Sequence, residues 1–231
     1  MRLLLLRHGQ TTANVRGALD TAFPGHPLTD LGRAQAAAVP AALADEDVAA
    51  VYCSNLTRTR RTAEPLRAER GLSVGVRPGL AEVRAGDLEM RDDEAAVRGY
   101  VECLVAWMSG DLDRAMPGGE DGHHFWARYD GALDDIATRH PDETVAVVSH
   151  GAAIRVWTAI STRMSRDEAE AAQISNTGLA VLERRAGRWK LERWSSDPVG
   201  GAHLLDTAAR DVTGDAVDDV EDETSGAPTA R

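Results

Sequence analysis

Positive charge is scarce in this chain. Lys and Arg number 26 against 37 Asp and Glu in 231 residues, a net charge of −11, and that balance excludes nucleic acid and an anionic membrane surface as general partners. From Asp206 onward there are eight acidic residues and two arginines, so much of the imbalance lies in that stretch and the rest is only mildly acidic. An anionic ligand therefore needs a local basic pocket. Cysteine is scarcer still. Cys53 and Cys103 are too few and too far apart for a disulfide framework or a metal-ligand spacing, which makes a reducing cytoplasm the expected compartment. Long apolar runs are absent too: Leu3 to Leu6 is too short for a signal-peptide core or a membrane span, so a soluble, unprocessed chain is expected.

What is present is organised around Arg2 to Asn14, RLLLLRHGQTTAN. Four leucines without polar alternation predict a strand buried on both faces, as in the middle of a parallel sheet. Arg7, His8 and Gly9 follow at its carboxyl end, where open α/β sheets bind ligands. The length fits one large α/β domain. A loop over 17–27 precedes a helix capped by Thr29 and running to about Ala44. Val48 to Cys53 predicts a second strand, Ser54 a cap, and the next helix starts near Asn55, with Pro65 kinking or ending it near Ala63. Ser73 to Arg77 predicts a third strand. No strand pattern appears from Gly86 to Gly122, although Asp92 to Met108 has helical composition, and this region is expected to form a cap over the pocket. His124 to Arg139 predicts a helix with Trp126, Leu133 and Ile136 inward, and Thr144 to Val148 a buried strand ending at Ser149, His150 and Gly151. Ala152 to Thr162 predicts a helix, and Gly178 to Arg184 with Arg188 to Trp194 a hairpin turning at Ala186 and Gly187. Residues 206–231, acidic and poor in large apolar side chains, are expected to be disordered.

Five segments, RHGQTTAN, SNLTRTRRTA (Ser54 to Ala63), LAEVRAGDLE around Glu82, PGGED (Pro117 to Asp121) and VSHGAAIR (Val148 to Arg155), follow one another in an order and spacing that resembles the phosphoglycerate-mutase-like branch of the histidine phosphatase superfamily. The resemblance runs from Arg2 to about Trp194. It implies an α/β fold, a three-layer αβα sandwich around a mostly parallel sheet with an antiparallel edge, forming a catalytic domain over 1–205 with a cap insertion at about 86–122.

The resemblance also implies roles. His8 is the expected nucleophile, since a neutral imidazole nitrogen can attack phosphorus and hold the phosphoryl group. Arg7 and Arg58 are the expected phosphate clamp, because guanidinium offers planar paired donors at any relevant pH. Asn14 matches the family's phosphate-contacting amide. His150 is expected to bond the transferring phosphoryl group, and Gly151 to leave helix amides open to it. An aspartate directly after the second histidine serves as acid in another branch. That position is Gly151 here, so Glu82 is the expected proton donor and then base. Glu89 is read as structural, and His123 and His124 as polar residues at a helix start.

The expected activity is hydrolysis of a small phosphomonoester through a phosphohistidine, with no metal or other cofactor. A phosphoglycerate mutase is the rival, kept alive by Arg84, Arg91, Arg98 and Arg114 in a short cap; a non-catalytic binding module is the third reading. The expected partners are a small phosphorylated substrate and at most a second copy of the chain as a homodimer, with neither nucleic acid nor membrane.

Overall fold

In the computed structural model, which describes residues 1–207 and 212–215, the four leucines alternate between two apolar clusters. Leu3 and Leu5 join Tyr100, Leu133 and Trp157 on one side, and Leu4 and Leu6 join Val39, Ala63 and Leu66 on the other. Strand β1 (Arg2–Arg7) therefore needs an apolar residue at each of its four central positions, which is why its sequence has no period of two. It pairs in parallel with β4 (Thr144–Ser149) and antiparallel with β5 (Leu179–Arg185). With β2 (Val48–Cys53), β3 (Val74–Val76) and β6 (Arg188–Ser195) it makes a six-stranded mixed sheet in the order β3-β2-β4-β1-β5-β6. The four strands on the β3 side are parallel and the β5–β6 hairpin forms the antiparallel edge.

Helices cover both faces. The Leu4 and Leu6 side carries α2 (Asp30–Ala42) and α3 (Thr57–Arg70). The Leu3 and Leu5 side carries α4 (Glu94–Met108), α5 (Gly122–Arg139) and α6 (Gly151–Thr162). This is the three-layer α/β sandwich. Two short helices, α1 (Thr12–Arg16) and α7 (Arg166–Ala171), have no counterpart in the sequence reading. Each is a capping box, Thr11 with Asn14 and Ser165 with Glu168, a signal that five or six residues carry without apolar periodicity.

Three local expectations are corrected. Helix α3 does not end near Ala63 but passes through Pro65 to Arg70. Ala63 and Leu66, buried on either side of the proline, anchor both halves to the same cluster and outweigh the lost backbone bond. Its N-cap is Leu56 rather than Ser54. Helix α5 begins at Gly122, capped by Asp121, so its inward face is Phe125, Tyr129, Leu133 and Ile136, and Trp126 is only partly buried.

The acidic stretch from Asp206 is described at 206, 207 and 212–215; Thr207 is exposed, whereas 212–214 are packed. Val212 and Thr213 are buried, and Gly214 O accepts from Ile174 N at 2.8 Å. Disorder is therefore not the condition of these residues, because the backbone pairs with the segment before β5 and Val212 joins the main apolar cluster. The rest of that expectation lies outside the described residues. Among the described residues no helix is long and apolar enough to cross a membrane.

Candidate active site

Strands β1 and β4 are neighbours in parallel register, Arg7 opposite Ser149, so the residues that follow them, His8 and His150, leave the sheet at one edge. Their rings lie 5.2 Å apart, edge to face. His8 Nδ1 is 2.8 Å from Gly9 O, and since a carbonyl only accepts, Nδ1 carries the proton and Nε2 keeps its lone pair. Arg58 Nε donates to that lone pair at 3.0 Å and to His150 Nδ1 at 3.2 Å. His150 Nε2 then carries its ring's proton and faces Ser54 Oγ at 2.8 Å. Both imidazoles are buried and held neutral, with pKa values well below the ordinary value, chiefly by loss of solvation and then by the Arg58 charge. Gly9 is required at its place: a Cβ there would lie 2.5 Å from Gly32 O.

Arg58 reaches this point from the first turn of α3 and is itself 2% exposed. Its other nitrogens are held by Asp20, Nη1 to the carboxylate at 3.2 Å and Nη2 to the backbone oxygen at 2.8 Å. The Asp20 carboxylate is buried too and is shared with His26, whose Nδ1 is 3.2 Å away. Arg7 is fully buried, with Nη1 donating to Ile174 O at 2.8 Å and Nη2 to Thr213 Oγ1 at 2.9 Å.

Glu82 lies in the loop before α4 and accepts three backbone N–H groups, from Val83 and Ala153 at 2.8 Å and from Ala152 at 3.3 Å. Those bonds favour the carboxylate, yet burial outweighs them and raises its pKa above the ordinary glutamate value. The amides at the start of α6 thus serve Glu82. Gly151 has a steric reason: a Cβ would sit 2.5 Å from Thr213 O and 3.0 Å from Arg7 Nε. Asn14 turns its Oδ1 back onto Thr11, accepting from the backbone N and from Oγ1 at 2.9 Å. Arg7, His8, Arg58, Glu82 and His150 are therefore brought together, whereas the oxygen of Asn14 is spent on the α1 cap. Glu89 holds the 21–22 loop, accepting from Thr21 N and Ala22 N at 2.9 Å and from the Thr21 hydroxyl. His123 and His124 pair separately with Asp113 and Asp121. Among the described residues no group of three His, Cys, Asp or Glu is placed to hold a metal ion.

A cavity of about 810 Å³ opens beside this cluster. Its wall contains Thr21, Asn55 and Ala81, the chain neighbours of Asp20, Ser54 and Glu82, and cap residues Gly86, Gly119 and Glu120. Sequence reasoning missed three contributors. Asp20 lies in a loop without a motif, Ser54 stands where a helix cap belongs, and Thr213 sits in the acidic stretch. The one signal for any of them is the place of Ser54 directly after strand β2.

Similarity to known proteins agrees with this geometry. Residues 3–197 match the family model of the histidine phosphatase superfamily (branch 1). The chain is 33% identical over 218 residues to the PE-PGRS family protein PE_PGRS11 of Mycobacterium tuberculosis, covering 86% of this chain and spanning only 37% of that relative's length. It is 30% identical over 196 residues to the metal-independent phosphoserine phosphatase of Arabidopsis thaliana, covering 84% of this chain and 80% of that protein. Among solved structures it resembles a mycobacterial glucosyl-3-phosphoglycerate phosphatase in complex with VO3, with TM-score 0.72 and 27% identity over 85% of this chain and 99% of that one. The chain belongs to the histidine phosphatase superfamily, branch 1.

Proposed function

We propose that the protein hydrolyses a small phosphomonoester through a phosphohistidine on His8. The observation that carries this reading is the fixed tautomer of His8. Its Nδ1 proton is tied to Gly9 O, and its Nε2 lone pair, kept unprotonated by burial, faces Arg58 and His150. A phosphoryl group entering there replaces the Asp20 carboxylate as the anion on Arg58 and removes Arg58 from the His8 lone pair. His8 Nε2 then bonds to phosphorus while the bond from phosphorus to the ester oxygen breaks, and that oxygen takes the proton held by Glu82. Water next attacks the phosphohistidine and gives its proton to the Glu82 carboxylate. Phosphate leaves and His8 is neutral again. The positive charge needed by the phosphoryl oxygens comes from Arg7 and Arg58. Relatives and neighbours whose names state phosphatase activity support hydrolysis.

The test is chemical trapping. Brief mixing with a labelled phosphomonoester and an alkaline quench leaves acid-labile label on the wild-type protein and none on His8→Ala. Label persisting in the variant removes His8 from the role.

A further inference from the structure

His8 and Arg58 obstruct each other in this structure. His8 Nε2 has one lone pair and spends it accepting from Arg58 Nε at 3.0 Å, and a nitrogen whose lone pair accepts a hydrogen bond cannot attack phosphorus. Arg58 therefore has to shift before His8 reacts. What holds it is the loop over 20–26. Asp20 takes the two ends of the guanidinium, Nη1 on its Oδ2 at 3.2 Å and Nη2 on its backbone oxygen at 2.8 Å. Thr57 N donates to Pro24 O at 2.9 Å, which ties the loop to the residue before Arg58. Gly25, at φ +72°, comes so close that a Cβ would lie 2.5 Å from Arg58 Nη1. Of the carboxylates that act on Arg58, Asp20 acts most strongly, ahead of Glu82 and Glu89.

A buried carboxylate that loses its cation is costly, so release of Arg58 needs another donor at Asp20. His26 supplies it. Its backbone N–H donates to the same Oδ2 at 2.8 Å, and its ring Nδ1 lies 3.2 Å from that oxygen. Arg16 Nη2, which can only donate, is 3.2 Å from His26 Nε2, so Nε2 accepts and the ring proton sits on Nδ1, the side of Asp20. We propose that Asp20 is an internal counter-ion that competes with phosphate for Arg58, and that His26 holds the Asp20 carboxylate when Arg58 turns to the phosphoryl group. Both are positioning residues, acting on the reaction through Arg58. This rests on the phosphatase reading above, and it adds the pair that sets how tightly phosphate is held.

The test measures the affinity for inorganic phosphate by titration calorimetry, beside hydrolysis of 4-nitrophenyl phosphate, in the wild type, Asp20→Asn, His26→Ala and His26→Gln. Asp20→Asn removes the competing charge and keeps the shape, so phosphate binds roughly 10-fold more tightly, the worth of one charge-assisted hydrogen bond. His26→Ala leaves Asp20 more dependent on Arg58, so phosphate binds roughly 3–10-fold more weakly, the worth of one neutral hydrogen bond, and His26→Gln, whose amide can donate, restores most of it. Opposite signs at the two positions and rescue by glutamine are a pattern that structural damage does not produce. Weaker or unchanged binding in Asp20→Asn overturns the proposal, because Asp20 would then preset the clamp instead of competing for it. Should Asp20→Asn not fold, the His26 variants decide alone: equal affinity in all three His26 forms overturns the proposal, as does equal loss in alanine and glutamine. A wild type that cleaves 4-nitrophenyl phosphate and binds no phosphate sinks this inference alone, and one that does neither sinks the phosphatase reading with it.

Discussion

The two strand ends that meet at the site are built alike and finished differently. Both β1 and β4 run through the core in parallel register and both are followed by a histidine. His8 is tied through Nδ1 to a carbonyl, the oxygen of its own neighbour Gly9, and His150 is tied through Nε2 to a hydroxyl, that of Ser54. A carbonyl can only accept, so the proton of His8 has one place to be. A hydroxyl accepts or donates, and Ser54 Oγ has Thr59 Oγ1 at 2.9 Å to turn to, so the proton arrangement of His150 can reverse. On the proposed mechanism one ring is fixed for attack, and the other can change from accepting to donating when a phosphoryl oxygen replaces Arg58 beside it.

The largest test of this division exchanges the histidines. His8→Ala is expected to abolish the phosphoenzyme, while His150→Ala still forms it, slower by about 10²–10³-fold, the usual cost of one oxyanion donor. Equal and complete loss in both would erase the distinction, as rapid single-turnover labelling can show. Glu82 belongs to the β4 side because the α6 amides hold its carboxylate. Glu82→Gln is therefore expected to slow phosphoryl transfer from a glycerate phosphate by about 10²–10⁴-fold and to affect transfer from nitrophenyl phosphate much less, since nitrophenolate leaves without a proton. Equal slowing of both would place Glu82 in binding rather than proton transfer. Ser54→Ala is smaller, about tenfold in turnover, the worth of one buried hydrogen bond. Nitrogen chemical shifts should show the His150 tautomer redistributed and that of His8 unchanged; movement of both would mean the rings are not held independently.

The smallest effect is on stability. An ordinary imidazole takes a proton below about pH 6.5, whereas His8 and His150 are held neutral in the fold. The unfolded chain thus binds protons that the folded one refuses, so stability is present above that pH and is lost as pH falls from it through the folded pKa. Glu82 has the opposite sign: its pKa is raised, so its contribution is present at low pH and is lost as pH rises through the folded value. His150→Gln should make the fall in Tm between pH 7 and pH 5 smaller by roughly 2–4 °C, about 1 kcal/mol in a domain of this size. An unchanged fall would assign that sensitivity to other groups.

Much of this site is legible in the sequence where a reactive residue stands two positions after an apolar run. Leu3 to Leu6 announce His8, and Val145 to Val148 announce His150, because a buried strand has to end at a ligand-binding edge. What is not legible is the set of side chains that hold those residues. Asp20 meets Arg58 across 38 positions, Ser54 meets His150 across 96, and Thr213 meets Arg7 across 206. No periodicity connects such pairs; they are products of the sheet order. Pro65 failed as a helix stop for a related reason, since local propensity was overridden by the apolar contacts of Ala63 and Leu66.

The bond between Arg7 and Thr213 separates folding from competence in time. Ribosomes add roughly 5–20 residues per second, so the 206 positions between the two residues take roughly 10–40 seconds to make. Every strand of the sheet is already synthesised once Ser195 has appeared, and the sheet can pair then, with Val212 of the main apolar cluster still to come. The guanidinium of Arg7 still lacks the hydroxyl that fixes its second nitrogen. A nascent chain can therefore pair its sheet before the proposed phosphate clamp is set, and on the proposed mechanism reactivity follows the fold.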